Sequence, residues 1–326
     1  MYMKQVIAFG AGNFYKTHKE NIEKEYDIVA FCDNDEKKTG GGYFGKPIIS
    51  VDDIETDSDI LITSTYKYEI ISQLLERGIN ENRINLIIPE WMNICSGVRV
   101  NKKGIEVVID GIHIILHNAL EESIFWEIYY NEEYNINFQT NSIVIDIGLN
   151  VGMATLFFAN KKFVSKVYAF EPDKNVYEKA LYNIGLNQKT KNKIVTFNVA
   201  CSNEDKKETY EITPIASAGI RKQRGLGLNT IDVVCVDASK ALGTIIDKHY
   251  GKESIIMKCD CEGAEYEIFT RLEQTGYFNK IDAFVMEWHC DRRNEIQEIF
   301  DKNGYTYVIF NAPERTFGKC YAIKKK

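Results

Sequence analysis

Side chains that can do acid–base or metal chemistry are concentrated in residues 258–267, which read KCDCEGAEYE. Asp260 comes directly after the apolar run SIIMKC, and Glu262 follows in a turn ahead of a helix-like segment. Glu287 and His289 stand in the same place after a later apolar run, DAFVM. Because open α/β sheets bind ligands beyond the carboxyl ends of their strands, we expect these four side chains to line one catalytic crevice.

Two metal sites are alternatives to this acid–base interpretation. A zinc site could be drawn from four side chains, namely Cys259, Cys261, His289 and Cys290. However, Cys-x-Cys is not the usual spacing of a zinc knuckle, and a structural site would need a second such pair. A Mg²⁺ ion held by Asp260 and Glu262 lacks a full set of ligands. The sequence therefore predicts no bound metal, and it predicts that the cysteines are small buried apolar residues.

A glycine-rich turn follows the apolar strand SIVIDI and contains Gly148 and Gly152. Asp146 stands ahead of the glycines, and the next strand ends at Glu171. An acid in this loop can accept a hydrogen bond from an ammonium group, and Gly148 lets the backbone come close to a ligand. Glu171 can accept from ribose hydroxyls, as acids at this position do. These features fit a ligand with a nucleoside, a positive charge and no phosphate, such as S-adenosylmethionine.

The N-terminal part opens with a similar strand–turn–helix segment, with Gly10 and Gly12 in its turn. This pair fits the first two glycines of a dinucleotide fingerprint, but Tyr15 takes the place of the third. Asp33 and Asp35 end the second strand, where an acid that binds ribose would stand. Two interpretations stay open: a nucleotide or nucleotide-sugar site, and a small Rossmann-like domain that keeps the turn for its geometry alone.

Strands alternate with helices through most of the chain, which predicts an α/β fold with parallel sheets. We expect a small Rossmann-like domain over residues 1–92 and a doubly wound sheet over residues 136–326. Residues 93–135 are expected to connect them, because Asp110 and Gly111 lie between two apolar runs and indicate a β-hairpin. An amphipathic helix follows that hairpin, and the last two strands of the chain, TYVIF and KCYAI, are predicted to form a second one.

Composition and charge narrow the class of protein. The chain has 326 residues and a formal net charge of -7, which argues against a general nucleic-acid binder. The N-terminus enters an apolar strand without the features of a signal peptide, and no apolar run is long enough to span a bilayer. The 8 cysteines lie mostly in apolar runs, as reduced thiols do. We therefore expect a cytoplasmic protein, and a homo-oligomer is compatible with the sequence.

Four segments in the C-terminal two-thirds of the chain resemble the FkbM family of S-adenosylmethionine-dependent methyltransferases. They are VIDIGLNVGMATLFFA, KVYAFEPDKNVYEKALYNIGLN, VTFNVACSNE and IIMKCDCEGAEYEIF, and they occur in family order. The resemblance implies a class I methyltransferase sheet of seven strands, in which the last two form an antiparallel hairpin. It also implies O-methylation of a hydroxyl on a sugar, a polyketide or a related acceptor.

The resemblance further implies which residues bind the cofactor. The methionine part would be contacted by Asp146, Gly148, Asn150 and Gly152. Glu171 would hold the ribose, and Asn198 and Ala200, at the end of the third strand, would lie near the adenine. Tyr134, upstream of the first strand, would cover the cofactor.

Methyl transfer to a hydroxyl needs a group that removes the hydroxyl proton. We predict that Asp260 or His289 is this base and that Glu262 binds the acceptor hydroxyl. Glu265 is interpreted differently, as an acid that faces the positive end of the helix dipole. Arg221, Lys222 and Arg224 are predicted to form an acceptor-binding loop that meets phosphate or carboxylate groups, with a solvated charged loop as the alternative.

The N-terminal run FCDNDEKKTGGGYFGKPI is similar to small Rossmann-like domains in enzymes of surface-polysaccharide and nucleotide-sugar modification. The expected acceptor is therefore a hydroxyl of a sugar, a nucleotide sugar or a surface glycan. Two other functions stay open. One is an NAD-dependent oxidoreductase that uses the N-terminal glycine turn, and the other is a non-catalytic module that binds a nucleotide sugar.

Overall fold

The computed structural model describes residues 3–212, 220–222, 229–290, 292–311 and 316–325. By its internal contacts the chain divides into two compact units, Met1–Ser123 and Ile124–Lys326. This division differs from the three parts expected from the sequence, because the hairpin strands expected in the connector belong to the first unit.

The first unit contains a six-stranded sheet in the order β3-β4-β2-β1-β5-β6, in which all neighbours except β3 and β4 are parallel. Its elements are β1 (Lys4–Phe9), α1 (Asn13–Glu25), β2 (Tyr26–Cys32), β3 (Gly42–Tyr43), β4 (Lys46–Ile49), β5 (Ile60–Ile62), α2 (Lys67–Glu76) and β6 (Ile84–Leu86). Helix α1 is polar on most of its surface, and it buries Tyr15 and Ile22, which lie two turns apart.

A three-stranded antiparallel sheet completes the first unit. Its strands are β7 (Gly97–Asn101), β8 (Gly104–Ile109) and β9 (Ile112–Leu116). The turn between β8 and β9 has positive φ at both Asp110 (50°) and Gly111 (75°). These are the left-handed conformations of a two-residue hairpin turn, which Asp-Gly adopts readily. Helix α3 (Ala119–Phe125) follows and continues into a π-helical turn over Trp126–Tyr130.

The second unit is built on eleven strands and five helices among the residues that the structure describes. The strands are β10 (Ser142–Ile147), β11 (Val164–Phe170), β12 (Ile194–Phe197), β13 (Ala200–Ser202), β14 (Lys206–Ile212), β15 (Ile220–Lys222), β16 (Thr230–Asp237), β17 (Ser254–Cys259), β18 (Ala283–Trp288), β19 (Tyr305–Asn311) and β20 (Gly318–Lys324). The helices are α4 (Met153–Asn160), α5 (Lys174–Leu186), α6 (Ala238–His249), α7 (Glu265–Gln274) and α8 (Arg293–Lys302).

The main sheet has seven strands in the order β12-β11-β10-β17-β18-β20-β19. The first five strands of this order, from β12 through β11, β10 and β17 to β18, pair in parallel, whereas β20 runs antiparallel to both β18 and β19. The predicted seven-stranded sheet that ends in an antiparallel hairpin is therefore confirmed. Strand β10 is the third strand of this order and is buried along its whole length, as expected for a strand covered on both faces.

Alternate side chains of β10 point to opposite faces of the sheet. Ile143, Ile145 and Ile147 lie in a core that includes Leu242 of α6 and Phe269 of α7. On the other face, Asp146 contacts Thr155 of α4. The carboxyl end of β10 is thus enclosed by helices, and its turn is held in one place.

A second sheet of four strands has the order β13-β16-β14-β15. Strands β14 and β16 pair with each other, and each also pairs with a short strand. Ala200 begins β13 and so does not end the third main strand, as had been expected, because that strand ends at Phe197. No helix in the described part of the chain is long and apolar enough to cross a membrane.

Candidate active site

The glycine turn after β10 requires left-handed backbone at three positions. Gly148, Asn150 and Gly152 have φ values of 91°, 51° and 91°. A Cβ atom at Gly148 would lie 1.9 Å from the carbonyl oxygen of Asp260, so the close approach at this glycine is to the turn after β17. Gly152 caps α4, and a Cβ there would lie 3.6 Å from Ala180. The glycines therefore place two turns side by side at the carboxyl ends of neighbouring strands.

Asp146 is fully buried, and it contacts the glycine turn through Lys258. Its Oδ2 accepts a hydrogen bond from Thr155 Oγ1 at 2.5 Å, and its Oδ1 lies 3.1 Å from Lys258 Nζ. Lys258 Nζ also donates to the carbonyl oxygen of Gly148 at 2.6 Å. Burial raises the pKa of Asp146, and the neighbouring Lys258 opposes that rise. The carboxylate of Asp146 thus faces Lys258 in this structure, not open space where methionine could lie.

Lys258 is a residue of the site that the sequence analysis did not single out. Burial lowers the pKa of Lys258, but Asp146 and Asp260 raise it by more, so the side chain stays charged. The position of this lysine inside the apolar run SIIMKC could have indicated a buried, paired ammonium group. A buried ammonium group needs a charged partner, and Asp146 is the acid at the matching end of the adjacent strand.

Glu171 lies at the end of β11 and is 8% exposed. Its Oε1 accepts from the amide of Asp173 and its Oε2 from the amide of Asn150, both at 2.9 Å. Burial raises the pKa of Glu171 to about 7, although both amide hydrogen bonds favour the carboxylate. Asn198 Nδ2 donates to the carbonyl oxygen of Glu171 at 2.8 Å. The structure therefore brings Glu171, Asn150 and Asn198 together.

Tyr134 contacts Asp260, a candidate for the catalytic base, directly. It is 7% exposed, and its hydroxyl donates to Asp260 Oδ2 at 3.2 Å. Lys258 Nζ lies 5.7 Å from the centre of the tyrosine ring. Burial, and then Asp260, raise the pKa of Tyr134 well above its usual value, so it remains a phenol that donates. Tyr134, which was expected to cover the cofactor, is thus hydrogen-bonded to the acidic turn.

The acidic turn after β17 has left-handed backbone at two successive residues. Glu262 has φ 57° and Gly263 has φ 104°, and a Cβ at Gly263 would lie 3.1 Å from Cys290 Sγ. The amide of Asp260 donates to the carbonyl oxygen of Ile147 at 3.0 Å, which continues the pairing of β10 and β17 by one residue. The turn therefore projects its acids beyond the sheet.

His289 lies among the acids that were expected to share its crevice. Its Nε2 is 3.9 Å from Asp260 Oδ1, 3.8 Å from Glu262 Oε2 and 4.0 Å from Glu287 Oε1. The structure thus brings together all four side chains predicted to be catalytic. Burial also raises the pKa of Glu287, and with the nearby Asp260 the value reaches about 8.

Glu265 was interpreted as an acid at the helix dipole, and its surroundings show a further role. It begins α7 and is fully buried, and its Oε1 lies 2.9 Å from His289 Nδ1 and accepts from the amide of Cys261 at 3.0 Å. Burial lowers the pKa of His289, but Glu265, Asp260 and Glu262 raise it to about 9. Glu265 therefore fixes the ring of His289, a role for which its sequence position alone gives no signal.

The remaining predicted residues belong to a short strand, lie outside the described residues, or are cysteines beside the acidic turn. Arg221 and Lys222 lie in the short strand β15, and Arg224 lies outside the described residues. Cys259 and Cys261 approach each other, with their sulfur atoms 3.6 Å apart. In the described part of the chain, the side chains that come close enough to share a metal ion are Asp260, Glu287 and His289, and that group contains no cysteine.

The glycine turn of the first unit is held by contacts within the protein, although a Cβ at Gly12 would meet nothing within 4 Å. Tyr15 is 1% exposed, and a Cβ at Gly10 would lie 2.5 Å from the carbonyl oxygen of Thr63. The carboxylate of Asp33, which stood where a ribose-binding acid was expected, accepts from the amide of Ala11 at 3.0 Å and from Lys38 Nζ at 2.7 Å. These contacts favour a structural role for this turn.

Two protein families match successive parts of the chain. Residues 2–85 match the model described as C2185-like, N-terminal, and residues 146–307 match the methyltransferase FkbM domain. The second match includes both glycine-turn and acidic-turn residues, from Asp146 to His289. It also covers the parallel strands of the main sheet apart from the first residues of β10.

Individual proteins are similar at lower levels of identity. Methyltransferase sdnD of Sordaria araneosa is 25% identical over 212 residues, which cover 56% of this chain and 81% of that protein. AMB antimetabolite synthetase AmbE of Pseudomonas aeruginosa is 23% identical over 252 residues, which cover 62% of this chain but only 12% of that protein. A solved structure of methyltransferase FkbM from Methylobacillus flagellatus KT aligns over 98% of this chain and 90% of its own, with 14% identity and a TM-score of 0.41.

The family match spans the site whose geometry is given above, and a curated methyltransferase is similar over more than half of the chain. The protein therefore carries an FkbM methyltransferase domain over residues 146–307 and is a methyltransferase of the class that uses S-adenosylmethionine.

Proposed function

We propose that the protein transfers a methyl group from S-adenosylmethionine to a hydroxyl of a sugar, a nucleotide sugar or a surface glycan. The observation that carries this proposal is the backbone contact between Gly148 and Asp260, where a Cβ on the glycine would lie 1.9 Å from the carbonyl oxygen. This contact sets the glycine turn, proposed to hold the donor, beside the acids proposed to handle the acceptor. Donor and acceptor would therefore meet in one crevice.

The residues around the glycine turn fit a nucleoside with a charged tail. Each oxygen of Glu171 accepts one backbone amide and keeps a further lone pair for a ribose hydroxyl. Asn198 is held against the backbone of Glu171, which places an amide side chain next to the proposed ribose site. Ala200 stands as a proposed adenine neighbour at the start of β13. Gly148, Asn150 and Gly152 would present backbone groups to the methionine part.

The proposed chemistry needs little besides alignment and removal of one proton. S-adenosylmethionine supplies a methyl group on a sulfonium, which an aligned hydroxyl oxygen can attack without further activation of the donor. A bond then forms between that oxygen and the methyl carbon as the carbon–sulfur bond breaks. We assign the hydroxyl proton to Asp260, whose side chain is 30% exposed, whereas that of His289 is 11% exposed. The products are the methyl ether and S-adenosylhomocysteine.

A sugar suits the crevice because several carboxylates line it. Glu262 and Glu287 lie 3.8 and 4.0 Å from His289 Nε2 and can accept hydrogen bonds from hydroxyls next to the one that reacts. Arg221, Lys222 and Arg224 remain proposed contacts for the phosphates of a nucleotide sugar. That assignment rests on their sequence alone.

The full chain should be incubated with S-adenosylmethionine and a panel of nucleotide sugars and capsule-type glycans, with products analysed by mass spectrometry. We expect one acceptor class to gain a methyl group and to release an equal amount of S-adenosylhomocysteine. Glu298→Gln, which alters an exposed acid of α8, serves as a matched control that should behave as the unchanged protein. If the folded chain shows no heat of binding with S-adenosylmethionine, the proposed function is wrong.

A further inference from the structure

Three side chains at the ends of two adjacent strands bring metal-binding atoms together. One ligand atom from each of Asp260, Glu287 and His289 lies within 4.8 Å of the other two. His289 Nε2 is 3.9 Å from Asp260 Oδ1 and 4.0 Å from Glu287 Oε1. Two ligand atoms bound to one ion at about 2.1 Å can be at most about 4.2 Å apart, and both separations lie within that limit. Because one nitrogen cannot lie opposite both carboxylates, the side chains would have to move closer together around the ion.

The imidazole of His289 gives an independent indication of a ligand. The residue is 9% exposed, and its Nδ1 is held at 2.9 Å by Glu265 Oε1. Its Nε2 points toward the three carboxylates of Asp260, Glu262 and Glu287 but makes no hydrogen bond with them, since every separation is at least 3.8 Å. A histidine that binds a metal usually has its second nitrogen held by a carboxylate in this way.

The local charge also favours a cation. Asp260, Glu262 and Glu287 place three acids around one imidazole, and all three are less than one-third exposed. A divalent ion among these carboxylates would be attracted by their charge and would take the place of a proton on His289 Nε2.

We propose that Asp260, Glu287 and His289 bind one divalent first-row transition-metal ion, with Mn²⁺ as the best match to two carboxylates and one imidazole. This goes beyond the sequence-based expectation of no metal. Three protein ligands leave positions open for solvent or for an acceptor hydroxyl. Asp260 would bind the ion through Oδ1, which faces His289, and would take the hydroxyl proton through Oδ2. The binding of the ion stands apart from the proposed function, whereas its use in holding the acceptor hydroxyl rests on that function.

The test uses the full chain, stripped with EDTA and dialysed against metal-free buffer. Isothermal titration with Mn²⁺ should give one site per chain, and Co²⁺ should give a visible absorption band of the bound ion. His289→Ala should weaken Mn²⁺ binding by at least about tenfold, and Glu265→Gln, which keeps all three ligands, by about 10–100-fold. Glu298→Gln, on the exposed side of α8, should bind Mn²⁺ as the unchanged protein does.

Far-UV circular dichroism and S-adenosylhomocysteine binding on the same samples separate a lost ion from a lost fold. A stripped, folded chain that gives neither Mn²⁺ heat nor a Co²⁺ band overturns the proposal. So does binding that His289→Ala leaves unchanged in a folded variant. Mn²⁺ binding without methylation of any acceptor would leave the ion site standing and count against the proposed function. Methylation at the same rate with and without Mn²⁺ would keep the function and remove the ion's part in it.

Discussion

Gly148 and Asp260 follow different strands, β10 and β17, yet their backbones touch at the candidate active site. A Cβ atom on Gly148 would come within 1.9 Å of the carbonyl oxygen of Asp260. One residue earlier, the carbonyl oxygen of Ile147 accepts from the amide of Asp260 at 3.0 Å. The turn proposed to hold the methyl donor and the turn that carries the proposed base therefore form one unit, and neither can shift alone.

Gly148→Ala is expected to disrupt this unit. The left-handed backbone at φ 91° alone costs a residue with a side chain about 1–3 kcal/mol, and the clash with Asp260 adds to that. Urea unfolding should show the lower stability, and titration should show weaker S-adenosylhomocysteine binding. The control is Gly185→Ala in α5, where a Cβ meets nothing within 4 Å and helix propensity predicts a gain of about 0.5–1 kcal/mol. Equal behaviour of the two variants would contradict the role of the contact.

Lys258→Met is expected to destabilise the protein by about 3–5 kcal/mol, because it leaves the buried carboxylate of Asp146 without its charged partner. Adding Asp146→Asn in the same chain should recover part of the loss, since the uncompensated charge is then gone. Denaturant unfolding of the single and double variants measures both effects. Lys240→Met removes an exposed partner of Asp205 and should change stability little. A double variant no more stable than Lys258→Met would show that the ion pair is not the cause.

The main sheet could be predicted because its strands carry strong local signals. The run SIVIDI is buried at every position, and in the first unit Asp110-Gly111 forms the hairpin turn that its sequence specifies. Parallel pairing in the main sheet then follows from alternation with helices, and the final hairpin from two successive strands with a short loop between them. The predicted site residues on these strands also came together, because strand ends that share one sheet edge share one crevice.

Helix α6 was not predicted from the sequence, although Ala238, Leu242 and Ile245 recur at helical spacing behind the N-cap residue Asp237. Gly243 and two consecutive isoleucines are weak helix formers and weaken that local signal. Asp237 caps the helix and forms an ion pair with Arg271 of α7 at 2.6 Å. Gly243 is needed because a Cβ there would lie 2.5 Å from the ring of Tyr277. Contacts of this kind are set by tertiary packing, as is the contact of Glu265 with His289, so local pattern does not reveal them.

Several sequence-based expectations stay predictions. They are the cytoplasmic location, a homo-oligomer, the individual roles of the site residues and the acceptor-binding part of Arg221, Lys222 and Arg224. The first unit matches the C2185-like N-terminal family over residues 2–85, and a likeness to polysaccharide-modifying enzymes rests on its sequence run alone. The buried Tyr15 and the internal contacts of the Asp33 carboxylate weigh against the dinucleotide alternative.

Asp260→Asn should lower turnover much more than it lowers cofactor affinity. Loss of a positioned base typically costs about 10²–10⁴-fold in rate, whereas the glycine turn touches the backbone of Asp260 and not its carboxylate. Single-turnover methylation and S-adenosylhomocysteine titration measure the two quantities. Tyr134→Phe, which removes only the donor to Asp260 Oδ2, should give a smaller loss of turnover. Equal losses of rate and affinity in Asp260→Asn would instead place this residue in the cofactor site.

Cofactor binding should strengthen as the pH rises through the pKa of Glu171. Burial holds that pKa at about 7, and only the ionised carboxylate can accept from two ribose hydroxyls while it also accepts two backbone amides. A group with a pKa near 7 is mostly protonated at pH 6 and mostly ionised at pH 8. The affinity for 5′-methylthioadenosine, which has ribose but no amino acid that titrates in this range, should therefore be about tenfold higher at pH 8. Titration at both values measures it. Glu171→Gln should bind more weakly and equally at both, so a tenfold dependence that survives in this variant would assign the titration to another group.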